Sequence, residues 1–228
     1  MPEIMGETDE NATKTIYLVR HGETAMNAQH LMRGWDDPDL NDEGRKDAEE
    51  VAQALKDSQI DSVFCSTLKR AVSTMQMIVK GHHPTINLTE NLKTIDVGAW
   101  TGKPLTQVEP MLAKLQVKWR TDPDATCPHG ESWTEFQGRQ LRAWKAIVAA
   151  KGDVLVVSHL RCSVWAMGYA LVGMKPLAGE WMGLLDRITQ TPARITTFSY
   201  SKAEGLKILS VNAQSVESHA EPKETPSK

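Results

Sequence analysis

The sequence has few cysteines, and none of its apolar runs is long enough to cross a membrane. Its three cysteines, Cys65, Cys127 and Cys162, are an odd number without the spacing of metal ligands, which argues against a disulfide framework. The longest apolar runs, such as residues 154–157, are far shorter than the roughly 18 residues that a membrane-spanning helix needs. We therefore expect a protein of the reducing cytoplasm that makes no contact with a membrane.

A large excess of charge of one sign is also missing. The 26 basic and 29 acidic residues leave a net charge of −3, so no overall basic surface is available for nucleic acid. Any anion must instead be bound locally. The first residues, 1–4, lack the basic and apolar segments of a secretion signal. We expect no nucleic-acid partner and no secretion.

The length of 228 residues is compatible with one or two domains, and one is the simpler interpretation. Residues up to about 13 are polar and acidic, and polar residues return near the end of the chain. Neither repeats nor low-complexity linkers interrupt the part between them. The sequence predicts one folded domain over residues 14–212, with mobile tails at 1–13 and 213–228.

Short strands and amphipathic helices alternate along this domain. Runs typical of buried strands lie at 15–19, 62–65 and 154–157, and each ends abruptly before polar residues. Apolar residues at helical spacing predict three amphipathic helices. The first runs from Asn41 to Leu55, the second covers 68–79, and the third follows the strand at 154–157 and ends near 171. Ser132 and Glu135 form a capping box for a further helix that ends near 151. This alternation predicts an α/β fold, a three-layer α/β/α sandwich with a mainly parallel central sheet.

Residues able to bind an anion follow three of these predicted strands. In open α/β sheets the binding crevice lies outside the carboxyl ends of the strands, where the sequence has Arg20-His21, Arg70 and His159. Arginine offers a fork of donors that matches phosphate oxygens, and helix starts add unpaired N–H groups. Nearby positive charges hold a histidine neutral, and neutral imidazole can attack phosphorus. The pattern predicts a phosphoryl site with His21 as covalent catalyst.

Several segments together resemble the histidine phosphatase superfamily, in its phosphoglycerate-mutase-like branch. The matching segments are 18–24 (LVRHGET, with the RHG motif) with Asn27, 34–44 (GWDDPDLNDEG), 66–71 (STLKRA) with Thr74, 98–102 (GAWTG), 129–132 (HGES) and 157–159 (VSH). They follow one another in the family's order and cover about residues 14–198. The resemblance implies the family's sandwich fold and its phosphate pocket.

The resemblance also implies a mechanism. His21 would attack phosphorus to form a phosphohistidine, which water then hydrolyses. Arg20, Asn27, Arg70 and His159 match the positions that bind the phosphoryl oxygens and stabilise their charge in the transition state. Neither a metal nor another cofactor is implied.

One departure from the family concerns the general acid. The glutamate that protonates the leaving oxygen aligns with Thr94, and a threonine cannot act as an acid near neutral pH. Asp96 and Glu131 are the nearest candidates in the sequence to replace it. The matched segments also indicate candidate contacts to the substrate, namely Glu23, Thr24, Trp35, Thr94 and Trp100.

Three functions remain open on the sequence alone. The first is a phosphatase that acts on a small phosphorylated metabolite, favoured by the short span between Gly98 and Glu131, where mutases of the family carry an insertion. The second is a phosphoglycerate-type mutase, and the third is a protein that binds phosphorylated ligands with little turnover. Trp165, Trp181 and Met182 could form the face of a homodimer if they are exposed.

Overall fold

The computed structural model describes residues 12–177, 188 and 190–216. The strands are β1 (Lys14–Arg20), β2 (Ser62–Ser66), β3 (Thr85–Thr89), β4 (Val154–Ser158), β5 (Ile195–Ser201) and β6 (Gly205–Ala213). The helices are α1 (Ala25–Ala28), α2 (Asp42–Leu55), α3 (Lys69–Ile78), α4 (Leu105–Lys118), α5 (Trp133–Ala149) and α6 (Leu160–Leu171). Short 3₁₀ turns lie at Glu90–Leu92 and Gly98–Trp100.

The strands form one sheet in the order β3-β2-β4-β1-β5-β6. The pairs β2–β3, β2–β4 and β1–β4 are parallel, whereas β5 is antiparallel to both of its neighbours. The predicted mainly parallel sheet is confirmed. The first strand of the described residues, β1, lies near the centre of the sheet, between β4 and β5.

Alternate residues of the central strands pack into two separate cores. Ile16 and Leu18 of β1 belong to a core with α5 and α6, which contribute Phe136, Trp144 and Trp165 among others. Tyr17 and Val19 belong to a second core, built with the apolar faces of α2 and α3. Successive side chains of a strand point to opposite faces, so these two cores are the two sides of one sheet. The predicted α/β/α sandwich is confirmed.

Helix starts follow the predicted capping residues in two places. Asn41 accepts a hydrogen bond from the N–H of Gly44 at 2.8 Å, and α2 begins directly after it. Ser132 and Glu135 form the expected capping box at the start of α5. Helix α3 differs, because its N-terminal cap is Leu68 rather than a residue with a capping side chain.

The sequence analysis did not identify α4 or the strands β3, β5 and β6. Pro110 lies inside α4 and removes one backbone donor, which obscures a helical pattern. The strands β3 and β6 lie at the edges of the sheet and keep exposed apolar residues, among them Leu88 and Val211.

The tryptophan proposed for a dimer face is not available for that purpose. Trp165 is fully buried and stacks on Tyr169, with 4.8 Å between the ring centroids. Trp181 and Met182 lie outside the described residues. A homodimer therefore stays a prediction, and Trp165 is not part of its interface. Within the described part of the chain, no helix combines the length and the apolar character that crossing a membrane requires.

Candidate active site

A cavity of about 230 Å³ opens at the carboxyl ends of β1 and β4. Arg20 is the register partner of Ser158, so the residues that follow them, His21 and His159, leave the sheet at the same level. Arg70 reaches the cavity from the first turn of α3. The structure therefore brings together all four residues that the sequence analysis assigned to catalysis.

The backbone around His21 is confined by the neighbouring helix. A Cβ atom on Gly22 would lie 2.3 Å from the carbonyl oxygen of Gly44, in the first turn of α2. Such a distance is far shorter than van der Waals contact, so position 22 must be glycine. The N–H of Gly22 also donates to the hydroxyl of Thr74 at 3.0 Å. These contacts hold the turn that presents His21 to the cavity.

The ring of His21 is oriented as a nucleophile. It is 2% exposed, and its Nδ1 lies 2.7 Å from the carbonyl oxygen of Gly22. A carbonyl oxygen only accepts, so Nδ1 carries the proton and Nε2 keeps a free electron pair. Burial, followed by the charges of Arg70 and Arg20, holds the pKa of His21 well below its ordinary value. His21 is therefore neutral at neutral pH.

His159 lies beside His21, with 5.1 Å between the two ring centroids. Its Nε2 is 2.8 Å from the hydroxyl oxygen of Ser66, and its Nδ1 is buried without a hydrogen-bond partner among the described residues. Burial, with the neighbouring Arg70 next in size, lowers the pKa of His159 well below its ordinary value.

The two buried arginines are each held by backbone carbonyl groups. Arg70 donates to the carbonyl oxygens of Asp36 at 2.7 Å and Gly34 at 3.0 Å, and Arg20 donates to that of Gln190. Burial lowers the pKa of both arginines to about 10, so both remain charged at neutral pH.

Each of these guanidinium groups keeps one donor unused. The Nε atoms of Arg20 and Arg70 are buried and have no partner among the described residues. Buried donors without a partner are rare in native proteins and call for an explanation such as an ion or ligand. Two charged guanidinium groups with spare donors, next to the spare Nδ1 of His159, are suited to bind the oxygens of a dianion.

A third arginine of the lining was missed by the sequence analysis. Arg33 borders the same cavity, and burial lowers its pKa. It directly precedes Gly34 in the segment quoted for the resemblance, but nothing in the sequence marked it as buried. Arg161 lies at the cavity as well.

Other predicted contacts lie away from the cavity lining. Asn27 and Thr24 hydrogen-bond to each other in the capping box of α1, with the Thr24 hydroxyl 2.8 Å from Asn27 Oδ1. Glu23 accepts a hydrogen bond from the side chain of Asn41 at 2.8 Å. Trp100 is buried in the core. The structure gives these residues supporting contacts and does not bring them to the cavity.

Neither candidate for the missing acid borders the cavity. Glu131 forms a two-pronged ion pair with Arg139, at 2.6 Å and 2.8 Å. Asp96 accepts a hydrogen bond from the N–H of Gly98 at 2.9 Å. The carboxylate in the described lining is instead Glu109, on the helix that the sequence analysis missed.

Thr94 does line the cavity, and its backbone is firmly held. The carbonyl oxygen of Thr94 accepts hydrogen bonds from Trp35 Nε1 and Arg139 Nη2, both at 2.7 Å. Trp35 is 39% exposed, and the ammonium group of Lys93 lies 4.6 Å from its ring centroid. Trp35 thus supports the loop from outside the cavity.

A family model of the histidine phosphatase superfamily (branch 1) matches residues 16–214. The chain belongs to the histidine phosphatase superfamily. This assignment confirms the resemblance, and the match includes every segment on which it rests. Members of the superfamily are phosphatases or mutases.

Sequence relatives carry mutase names. The chain is 36% identical over 167 residues to a 2,3-bisphosphoglycerate-dependent phosphoglycerate mutase of Allorhizobium ampelinum, over 63% of this chain and 76% of the relative. It is 32% identical over 162 residues to a phosphoglycerate mutase of Schizosaccharomyces pombe, over 67% of this chain and 77% of that protein.

Solved structures with the same fold include phosphatases. The alpha-ribazole phosphatase of Shigella flexneri has a TM-score of 0.73 at 21% identity, over 89% of this chain and 98% of that one. The mycobacterial glucosyl-3-phosphoglycerate phosphatase has a TM-score of 0.72 at 21% identity, over 89% of this chain and all of that one. At this level of identity the likeness concerns the fold.

Proposed function

We propose that this protein is a metal-independent phosphatase that hydrolyses a small phosphorylated metabolite through a phosphohistidine on His21. The observation that carries the proposal is the free electron pair of His21 Nε2 beside two buried, charged arginines with unused donors. A neutral nucleophile and fixed positive charge are the two requirements of phosphoryl transfer to a side chain.

In the first step, the electron pair of Nε2 forms a bond to phosphorus while the bond from phosphorus to the leaving oxygen breaks. The leaving oxygen keeps the bonding electrons and takes up a proton. Arg20, Arg70 and His159 hold the three remaining phosphoryl oxygens, whose charge they stabilise in the transition state. In the second step, water replaces Nε2 on phosphorus, inorganic phosphate departs, and His21 returns to its neutral form.

The proton for the leaving oxygen needs a donor other than Thr94. Glu109 lines the same cavity, whereas Asp96 and Glu131 are engaged elsewhere. We assign this role to Glu109. After protonating the leaving group, its carboxylate can accept the proton of the water that attacks the phosphohistidine, so the proton balance closes over one turnover.

The test is phosphate release by the purified protein in excess EDTA. The substrates are p-nitrophenyl phosphate and a panel of alkyl, sugar, glycerate and nucleotide monophosphates, with His21→Ala as control. Release that disappears in His21→Ala supports the proposal, and release that persists in this variant contradicts it. Loss of all activity on adding EDTA would contradict metal independence.

A mutase is the second candidate function, favoured by the names of the sequence relatives. Such an enzyme needs a phosphorylated donor to prime its histidine. Interconversion of 2- and 3-phosphoglycerate that rises on addition of 2,3-bisphosphoglycerate would replace the phosphatase by this candidate. Absence of both activities, with retained binding of phosphate, would favour the third alternative, a protein that binds without turnover.

A further inference from the structure

Helix α4 presents one stripe of side chains to the cavity. Leu105, Glu109 and Leu112 all line it, and their spacing of four and three residues places them on one face of the helix. Both leucines are only half-buried. They therefore keep apolar surface that a ligand in the cavity can cover.

Other apolar side chains line the same cavity. Met32, Ile95, Val97 and Leu160 line the same cavity from three other segments of the chain. Met32 and Leu160 are half-buried like the leucines of α4. Apolar side chains from four segments thus line the space next to the histidines and arginines, together with the polar residues Arg33, Thr94, Glu109 and Arg161.

The size of the cavity limits what can occupy this space. The whole cavity measures about 230 Å³, part of which the phosphoryl group fills. An apolar cavity of about 150 Å³ can hold benzene. The remaining space accordingly suits one ring or a chain of a few carbon atoms.

We propose that this part of the cavity is a leaving-group subsite for a compact alkyl or aryl body, with Leu105 and Leu112 as its specificity-determining residues. The proposal rests on the proposed function, since the phosphoryl group defines where the leaving group lies. A sugar or other polyhydroxy group would place hydroxyls against these apolar side chains, and each hydroxyl that loses water without gaining a partner lowers affinity about tenfold.

The experiment measures binding rather than turnover, so that it does not depend on the catalytic step. The dissociation constants of n-alkylphosphonates, from methyl- to pentylphosphonate, are determined by calorimetry with the full-length protein. These ligands carry the phosphoryl oxygens but are not hydrolysed. Each added methylene should lower Kd about fourfold until the subsite is full. A Kd independent of chain length would overturn the proposal.

Variants on α4 identify the residues responsible. Leu105→Asn and Leu112→Asn should weaken pentylphosphonate binding severalfold and leave methylphosphonate binding within twofold. The matched control is Val117→Asn, on the same helix but 61% exposed and outside the described lining. An unchanged chain-length dependence in both leucine variants, or an equal loss in the control, would contradict the assignment of this helix face.

The two proposals fail in different ways. Chain-length-dependent binding without phosphate release from any ester would remove the phosphatase and retain the apolar subsite. Phosphate release with no gain from apolar leaving groups or ligands would retain the phosphatase and remove the subsite.

Discussion

The hydroxyl of Ser66 contacts His159 at Nε2 and leaves Nδ1 available to a ligand. The N–H of Leu68 lies 3.4 Å from the Ser66 hydroxyl oxygen, which accepts from it, and His159 Nε2 lies 2.8 Å away. Leu68 does not use the hydroxyl proton, so we expect this proton to point to Nε2, which places the ring proton on Nδ1. Nδ1 is the atom without a partner among the described residues. Ser66 thus prepares His159 as a donor to a phosphoryl oxygen.

Ser66 acts on the substrate only through His159, so replacing Ser66 should impair activity indirectly. We expect Ser66→Ala to lower kcat/KM for p-nitrophenyl phosphate about five- to tenfold, the value of one hydrogen bond. Ser163→Ala is the matched control, because this buried hydroxyl lies in α6 and has no partner among the described side chains and backbone groups. Nitrogen-15 NMR of the histidine rings checks the tautomer. Equal rates in the two variants would exclude the positioning role.

Glu109 should matter most for poor leaving groups. General acid catalysis contributes about 10²- to 10⁴-fold, and an alkoxide needs it more than p-nitrophenolate does. We expect Glu109→Gln to reduce kcat for alkyl phosphates at least tenfold and to change kcat for p-nitrophenyl phosphate less than threefold. Glu50→Gln, on the exposed side of α2, serves as control. Equal effects on both substrates would show that Glu109 does not donate the proton.

At the scale of the elements, α5 anchors the loop that carries Thr94. Arg139 binds both carboxylate oxygens of Glu131 and also donates to the carbonyl oxygens of Asn91, Lys93 and Thr94. The side chains of the ion pair are 8% and 10% exposed. One helix residue therefore holds a stretch of irregular backbone at the cavity wall.

Breaking this ion pair should cost stability. We expect Glu131→Gln to lower the free energy of unfolding by about 3 kcal/mol, because it leaves a buried guanidinium without its charge partner. Glu43→Gln breaks an exposed pair with Lys46 and should cost less than about 1 kcal/mol. Urea unfolding measures both values. If Glu131→Gln lost catalytic activity at unchanged stability, the result would contradict the structural role and favour Glu131 as the general acid.

The sequence predicted elements well where local pattern and tertiary position agree. The strands β1, β2 and β4 are buried on both faces and carry continuous apolar runs. Because these strands were predicted correctly, the residues after their carboxyl ends, His21, Arg70 and His159, were identified as the site. Helix α4 was missed because its exposed residues and internal proline weaken the pattern. Glu109 was missed with it, because only the packing of the loops brings that helix to the cavity.

At the scale of the whole molecule, two buried neutral histidines make stability depend on pH. The pKa of each lies well below the ordinary value of about 6.5 that applies in the unfolded chain. Below that pH the unfolded state binds more protons than the folded state, so the free energy of unfolding decreases as pH falls. This contribution to stability is fully present above about pH 6.5.

We expect each of these histidines to lower the free energy of unfolding by at most about 1.4 kcal/mol per pH unit between pH 6 and pH 5. Urea unfolding at pH 7.5, 6 and 5 measures the slope. His21→Asn should remove about half of the part of the slope that the two histidines contribute. The carboxylates titrate alike in both proteins, so their contribution cancels in the difference between them. A slope that is the same in both proteins would contradict the neutral, buried state of His21.

The central position of β1 has a consequence for biosynthesis. Ile16 pairs with Val154 on one side and with Phe198 on the other, so β1 leaves the ribosome before both of the strands that it pairs with. At about 5 to 20 residues per second this interval lasts roughly 10 to 40 s. During that time the apolar residues 16–19 lack one or both of their strand partners. A nascent chain that is released early therefore cannot complete the sheet that positions His21, and it leaves the apolar segment 16–19 exposed to aggregation.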